Sequence, residues 1–322
     1  MSMIVTSDLT KKFGAFKAVD GLNLRIAQGE SYGFLGPNGA GKTTTLSMLL
    51  GILTPTSGMV FIQGEQVRSD SFSLKRKIGV VAEYQTFYEN MTAWEYVMFF
   101  ARLYQAANAE KRAEMLFEQV NLMQWKDALI SAFSTGMKKK LGFIRALVHS
   151  PDLLILDEPV SGLDPFGIIQ VRSLLMTEKA RGATLIISSH ILSEVEKTTD
   201  RVGIISRGKL ILEDTIDNIQ RKVGDGERIL FRFANQTPDI LGKLSSLPFV
   251  IQVSQEEDEI SVLTDGAKDY REDLGRYLVQ NEWIPLEMKK HQTSLEEVYI
   301  TISEQSLRTI QEDLETEDVP SD

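Results

Sequence analysis

Residues 36–43 read Gly-Pro-Asn-Gly-Ala-Gly-Lys-Thr and fill every fixed position of the phosphate-loop pattern G-x-x-x-x-G-K-[ST]. Gly36, Gly39 and Gly41, with Pro37, Asn38 and Ala40 between them, let successive backbone N–H groups turn into one concavity that suits a chain of phosphates. Lys42 can neutralise terminal phosphate charge, the Thr43 hydroxyl can ligate Mg²⁺, and Thr44 continues the cradle into the next element. The flanks fit this use: 31–35 is a short apolar run of strand type, and 43–50 has helical spacing that aims a positive helix end at the anion. A glycine-rich surface turn would share the composition but not the strand-to-helix setting, so the chemistry predicted is binding of ATP or GTP.

A second group supports it. Residues 153–159 read Leu-Leu-Ile-Leu-Asp-Glu-Pro, which puts Asp157 and Glu158 at the carboxyl end of a buried strand, where α/β proteins place ligands. Asp157 is suited to hold Mg²⁺ through water, and Glu158 to orient or deprotonate an attacking water. An acidic pair after a strand is also a common turn or helix-capping feature; its pairing with the phosphate loop favours the catalytic reading.

The elements that must position these groups are legible as patterns. Up to about residue 30 the chain is strand-rich, with Leu22, Leu24 and Ile26 alternating against Asn23 and Arg25, so an antiparallel sheet edge precedes the nucleotide core. A stop at Gly51, a turn over 55–58 and a strand at 59–62 follow. Between about 89 and 150 the spacing turns helical, at 93–104, 110–120 and 137–149, as in an inserted helical lobe. Strand signals at 153–156 and 184–188 around a helix at 168–179 imply a mainly parallel sheet, closed by a hairpin over 201–206 and 209–212. The first domain is expected to be 1–222. Beyond it, strands at 228–233, 250–254, 259–264 and 283–288 and helices at 239–247 and 267–280 give the order β-α-β-β-α-β, a small α+β ferredoxin-like domain over 223–303. A last helix from Leu295 carries Val298, Tyr299 and Ile302 on an apolar face. Seven carboxylates against Arg308 in 304–322 carry −6 of the chain's −10, which marks a solvated, disordered tail.

In their order these motifs closely resemble the ATPase subunits of ABC transporters over residues 1 to about 220. The resemblance implies an α/β P-loop core, a mixed sheet with an antiparallel β edge and a helical lobe, with ATP and Mg²⁺ as ligands. It implies a signature loop at Phe133, Ser134, Thr135, Gly136 and Met137, with Ser134 as helix cap and Gly136 allowing close approach to a γ-phosphate bound by a second protomer. It also implies a D-loop at residues 161–164, with Asp164 reaching across the interface, a switch histidine at His190, and an adenine-stacking aromatic at Phe13. A single aromatic ahead of a phosphate loop is equally an ordinary core residue. ATP is favoured over GTP on the resemblance, and no N-K-x-D element accompanies the loop.

Three departures stand out. Glu83 replaces the usual Q-loop glutamine, adding a candidate Mg²⁺ ligand and a charge that repels phosphate. Thr135 and Met137 depart from the usual signature. Tyr84, Phe87, Tyr88, Trp94, Tyr96, Phe99 and Phe100 fall where the family receives a coupling helix from a polytopic transmembrane permease; taken singly, each could as well fill the helical lobe. The run Lys138, Lys139, Lys140 reads as a solvated face rather than a nucleic-acid patch, and the acidic balance argues against nucleic acid as a partner. The closing stretch Ser294–Val298 resembles the extension of exporter ATPases.

There is no cysteine, no secretory signal and no apolar run near the ~18 residues that span a bilayer. A cytoplasmic protein held peripherally at the inner membrane face by its permease is therefore expected. One rival class, a ribosome-associated or DNA-repair ATPase, would bring a second cassette or a long coiled coil, and the chain has a single phosphate loop and no such coil; the other is a nucleotide-controlled regulator acting on a soluble or membrane partner.

Overall fold

The computed structural model describes residues 1–189, 191–223, 227–233, 239–291 and 294–300. His190, Ile302 and the acidic stretch 304–322 lie outside the described residues. By its contacts the chain divides into two compact units, the first spanning Met1–Thr215 and the second starting at Ile216.

The first unit contains β1 (Ser2–Phe13), β2 (Phe16–Leu22), β3 (Arg25–Ala27), β4 (Ser31–Leu35), α1 (Lys42–Leu49), β5 (Ser57–Ile62), β6 (Glu65–Gln66), α2 (Phe72–Lys75) and β7 (Ile78–Val81). It continues with α3 (Ala93–Leu103), α4 (Ala109–Gln119), α5 (Thr135–Leu147), β8 (Leu153–Asp157), α6 (Pro165–Ala180), β9 (Thr184–Ser188), α7 (Leu192–Thr198), β10 (Arg201–Ser206) and β11 (Lys209–Thr215). One sheet has the order β2-β1-β5-β6, with β3 also on β1, and every pairing in it is antiparallel. The other has the order β11-β10-β4-β9-β8-β7; its pairings are parallel except for β11 on β10.

The parallel strands β4, β8 and β9 are buried at all five positions, as continuous apolar runs covered on both faces should be. On one face Met3, Ile26, Leu46, Leu49 and Val60 pack with Phe34 and Ile155, so α1 is held between the two sheets. On the other, Leu154, Leu156, Leu185 and Ile187 meet α5, α6 and the helical lobe through Phe117, Leu141, Ile144 and Leu174. Arg112 of α4 pairs with the fully buried Glu178 of α6, which also pairs with Arg181, and this ties the lobe to α6.

In the first unit the short elements β6, α2, β7 and α7 are absent from the sequence expectation. Ile78–Val81 is the edge strand β7, packed against α5 where Gly79 lets the backbone approach: a Cβ there would lie 2.4 Å from the Ala146 carbonyl oxygen. Four residues are too few for a period-two pattern to show. Likewise α7 is short and follows β9 almost directly.

The second unit contains α8 (Ile216–Val223), β12 (Glu227–Arg232), α9 (Ile240–Ser245), β13 (Val250–Glu256), β14 (Glu259–Thr264), α10 (Arg271–Gln280) and β15 (Glu287–His291). Its antiparallel sheet runs β13-β14-β12-β15, the ferredoxin-like arrangement in which the first and third strands lie at the centre. Ile229, Phe231, Ile260, Val262, Leu274 and Leu278 form its core. The last strand lies a few residues later than 283–288, because Trp283 leaves the helix end to pack against this core and pairing resumes only at Glu287. Residues 295–300 are helical, with the Ser294 hydroxyl accepting from the Glu297 N–H at 3.2 Å and Leu295 and Val298 buried.

Candidate functional site

The site lies at the carboxyl ends of β4, β8 and β9. Gly36–Gly41 leaves β4 and enters α1 through Gly41 at φ 105°, a left-handed conformation that favours glycine. Gly41 is also required for space, since a Cβ there would stand 2.3 Å from the Ala18 carbonyl oxygen; at Gly36 it would meet the Ile205 carbonyl at 2.4 Å. The loop is thus pressed against β2 and β10 with no room for side chains at these two positions.

Lys42, 7% exposed, rests its Nζ on the carbonyls of Gly36 at 2.7 Å and Pro37 at 3.2 Å. Burial pulls its ammonium below the ordinary lysine range, and the charges of Glu158, Asp157 and Glu83 oppose that pull. The Thr43 hydroxyl, at the start of α1, donates to Asp157 Oδ2 at 2.9 Å, although β9 stands between β8 and β4, the strand that leads into the phosphate loop. Asp157 Oδ1 accepts from the Ser188 hydroxyl at the end of β9, so the carboxylate is fixed from both sides. Ser188 was not singled out from the sequence, and its register opposite Asp157 is what brings it in.

Glu158, 6% exposed, follows in the left-handed region at φ 48°. Its N–H donates to the Ser188 carbonyl at 3.0 Å, and its Oε2 accepts from the Ser189 hydroxyl at 3.4 Å. Pro37, Asn38, Gly39, Gly41, Lys42, Thr43, Thr44, Glu83, Asp157 and Glu158 line one cleft of about 330 Å³. Thr43 and Asp157 together offer a hydroxyl and a carboxylate, hard oxygen donors that fit Mg²⁺, an ion that keeps several waters and takes phosphate oxygens. Glu83 is on the same wall, and among the described residues no three histidine or carboxylate side chains converge as an all-protein cage.

The mouth of the cleft carries two aromatic rings. Phe13, 52% exposed, is no core residue, and its partner across the β1–β2 hairpin, Phe16, is 63% exposed and lines the same cleft. Phe16 was missed because only the hairpin register places it beside Phe13.

Ser134 and Asp164 stand apart from this cleft. Ser134 caps α5, its hydroxyl accepting from the Met137 N–H at 3.2 Å; it is exposed, and the nearest atom to a Cβ at Gly136 would be 3.8 Å away, so this helix end is open to a second molecule. Asp164 caps α6 by accepting from the Gly167 N–H at 2.9 Å and is also exposed. Of the lysine run, Lys138 pairs with Glu89 and Lys140 is half-buried, but Lys139 is only 8% exposed. The expectation of a solvated face fails there, because the second turn of α5 points inward onto β8. The aromatic stretch also divides: Tyr96 is buried with Phe87 and Phe100 against it and Trp94 packs on Phe117, whereas Tyr84, Tyr88 and Phe99 are exposed. Trp94, Phe99, Met91, Met98 and Leu103 border a groove of about 570 Å³ on the lobe.

Comparison with known proteins identifies the family. A family profile described as "ABC transporter" matches residues 19–161. The bacitracin transport ATP-binding protein BcrA of Bacillus licheniformis is 46% identical over 222 residues, 69% of this chain and 72% of the relative. The daunorubicin/doxorubicin resistance ATP-binding protein DrrA of Streptomyces peucetius is 32% identical over 93% of this chain and 92% of its own length. Among solved structures, the ATP-binding cassette MJ0796, described as a dimeric post-hydrolysis state bound to ADP and Pi, superposes with a TM-score of 0.61 at 25% identity, over 66% of this chain and 99% of that one. With a phosphate loop, a paired hydroxyl and carboxylate, and a buried glutamate in one cleft, the chain belongs to the ATP-binding, ATP-hydrolysing subunits of ABC transporters.

Proposed function

We propose that two copies of this chain, or this chain and a close relative, close around two ATP molecules and drive a separate polytopic permease in moving a solute outward. The observation that carries this reading is the division of the site: Lys42, Thr43, Asp157 and Glu158 share one cleft, while Ser134, Gly136 and Asp164 stand elsewhere at exposed helix ends. A helix N-terminus aimed at solvent suits the γ-phosphate held by a partner. The relatives named for bacitracin transport and for daunorubicin/doxorubicin resistance support export.

Hydrolysis on this reading is positioning and electrostatics. Mg²⁺, when bound beside Thr43 and Asp157, would supply charge neutralisation across the phosphates. Lys42 exchanges its carbonyl partners for phosphate oxygens, Phe13 and Phe16 hold the adenine, and Glu158 aligns the attacking water. His190 completes the site on the family resemblance. No described helix is long and apolar enough to cross a membrane, so the transport path is assigned to the permease, received in the segment from Glu83 to Phe100, where Met91, Trp94, Met98 and Phe99 border the groove on the lobe.

Glu158→Gln, isolated from its native cells in gentle detergent with ATP and Mg²⁺, is expected to bring down a polytopic membrane protein in stoichiometric amount. Recovery of ribosomes, DNA or soluble proteins alone would overturn the transporter coupling and leave the ATPase in place.

A further inference from the structure

The hydrolytic glutamate is held by its backbone as well as by its side chain. Lys139 lies in the second turn of α5, and its Nζ donates to the main-chain carbonyl of Glu158 at 2.8 Å in a buried contact. That carbonyl belongs to a residue in the left-handed region, where a non-glycine backbone is held only by its surroundings. Its N–H is fixed to the Ser188 carbonyl at 3.0 Å, and the same Glu158 oxygen also accepts from the Ser161 N–H at 3.3 Å. Lys139 and Ser188 therefore grip the Glu158 peptide groups from two sides, α5 and β9.

A buried ammonium is a costly way to tether a carbonyl, which a neutral donor could also do. Its surroundings supply a reason for the charge. The carboxylates of Glu83, Glu158 and Asp157 all act to keep Lys139 protonated against the burial that lowers it. Lys139 thus faces this acidic group from α5 as Lys42 faces it from the phosphate loop. The same helix also touches the Glu83 segment: at Gly142, a Cβ would lie 2.2 Å from Gln85 Oε1. One helix accordingly carries the exposed Ser134 cap, the grip on Glu158 and the seat of the Glu83 segment.

We propose that Lys139 is a positioning residue for hydrolysis: from the signature helix of its own protomer it clamps the Glu158 carbonyl, so that the pose of the water-aligning carboxylate depends on the pose of α5. An α5 drawn onto a partner's nucleotide through Ser134 then resets Glu158 in the cleft of its own chain, and the two sites of a dimer are linked through one lysine. This rests on the reading of Glu158 as the group that aligns water.

The test is steady-state ATP hydrolysis by the full chain with Mg²⁺, comparing wild type with Lys139→Met, Lys139→Arg and Glu158→Gln. A lost clamp misplaces Glu158 without touching the phosphate loop, so Lys139→Met should lose roughly 10- to 100-fold in kcat while KM stays within about twofold. Lys139→Arg, which keeps a charged donor, should recover most of that loss. Wild-type kcat in Lys139→Met overturns the proposal; so does a loss of kcat matched by an equal rise in KM and not relieved by arginine, which would mark simple packing. If Lys139→Met does not fold, Lys139→Gln decides, since its amide N–H is one bond shorter and withdraws from the carbonyl: a folded Lys139→Gln with wild-type kcat overturns the clamp. Glu158→Gln separates the two ideas. Full activity in that variant would remove the role of Glu158 itself, whereas an inactive Glu158→Gln beside a fully active Lys139→Met removes only the clamp.

Discussion

Phe13 and Phe16 close the β1–β2 hairpin as a cross-strand pair, and both rings are more than half exposed at the mouth of the nucleotide cleft. Exposed rings at a cleft mouth can hold a purine by stacking, with aromatic pairs contributing about 0.5–1.5 kcal/mol. Phe16→Ala is therefore expected to raise KM for ATP by roughly 2- to 10-fold, as Phe13→Ala does, with kcat little changed. A KM unchanged in Phe16→Ala but raised in Phe13→Ala would leave Phe13 as the sole adenine contact. The two rings also show what could be read from residues alone. Phe13 was found through the family resemblance, whereas Phe16 needed the hairpin register. Lys139 is a sharper case, since three consecutive lysines are chemically equivalent in sequence and only the facing of α5 toward β8 buries the middle one. Asp157 and Glu158 were legible because a four-residue apolar run followed directly by two acids is a local signal.

At the scale of elements, α3 and α5 meet at their carboxyl ends, where the ring of His149 stacks on Tyr104 with centroids 4.1 Å apart and planes 18° apart. Burial pushes the His149 imidazole down to about 4 from its ordinary 6.5, against a smaller opposing pull from the Ile78 backbone. The folded protein therefore excludes a proton that the unfolded chain binds between those values, so this contact stabilises fully above pH 6.5 and less as pH falls toward 4. About 2 kcal/mol should be lost between pH 7 and pH 5 from this residue alone. His149→Phe keeps a stacked ring but excludes no proton, so chemical denaturation at the two pH values should show a stability difference smaller by that amount. An identical pH dependence in both proteins would place the acid sensitivity elsewhere. Most elements of the first unit were legible because they are long or uniformly apolar, as in β4, β8 and α6. The four-residue β7 was not, because its strand character comes from pairing with β8 rather than from its own pattern. The start of α10 and the position of β15 shifted by a few residues for a similar reason, since the polar linkers around them are placed by the Tyr270 and Trp283 side chains packing on the sheet.

For the molecule as a whole, the cleft residues all belong to the first unit and Ser134 and Gly136 are not among them, so the proposed composite site requires a second molecule to bring Ser134 and Gly136 to the phosphates. That need is the central claim. It is expected from the sequence only through resemblance, because no local pattern tells a helix cap that merely ends a helix from one that also meets a partner's ligand; Ser134 does the first through Met137, and it is exposed. The most direct measurement is the mass in solution of purified Glu158→Gln, alone and with Ser134→Arg added, by sedimentation with and without ATP and Mg²⁺. A chain of 36.1 kDa is expected to double in mass only when both ATP and Mg²⁺ are present, and to stay single once Ser134→Arg blocks the helix end. A Glu158→Gln protein that binds ATP yet stays at 36.1 kDa, or that doubles equally without nucleotide or with Ser134→Arg, would contradict an ATP-closed composite site between two copies of this chain.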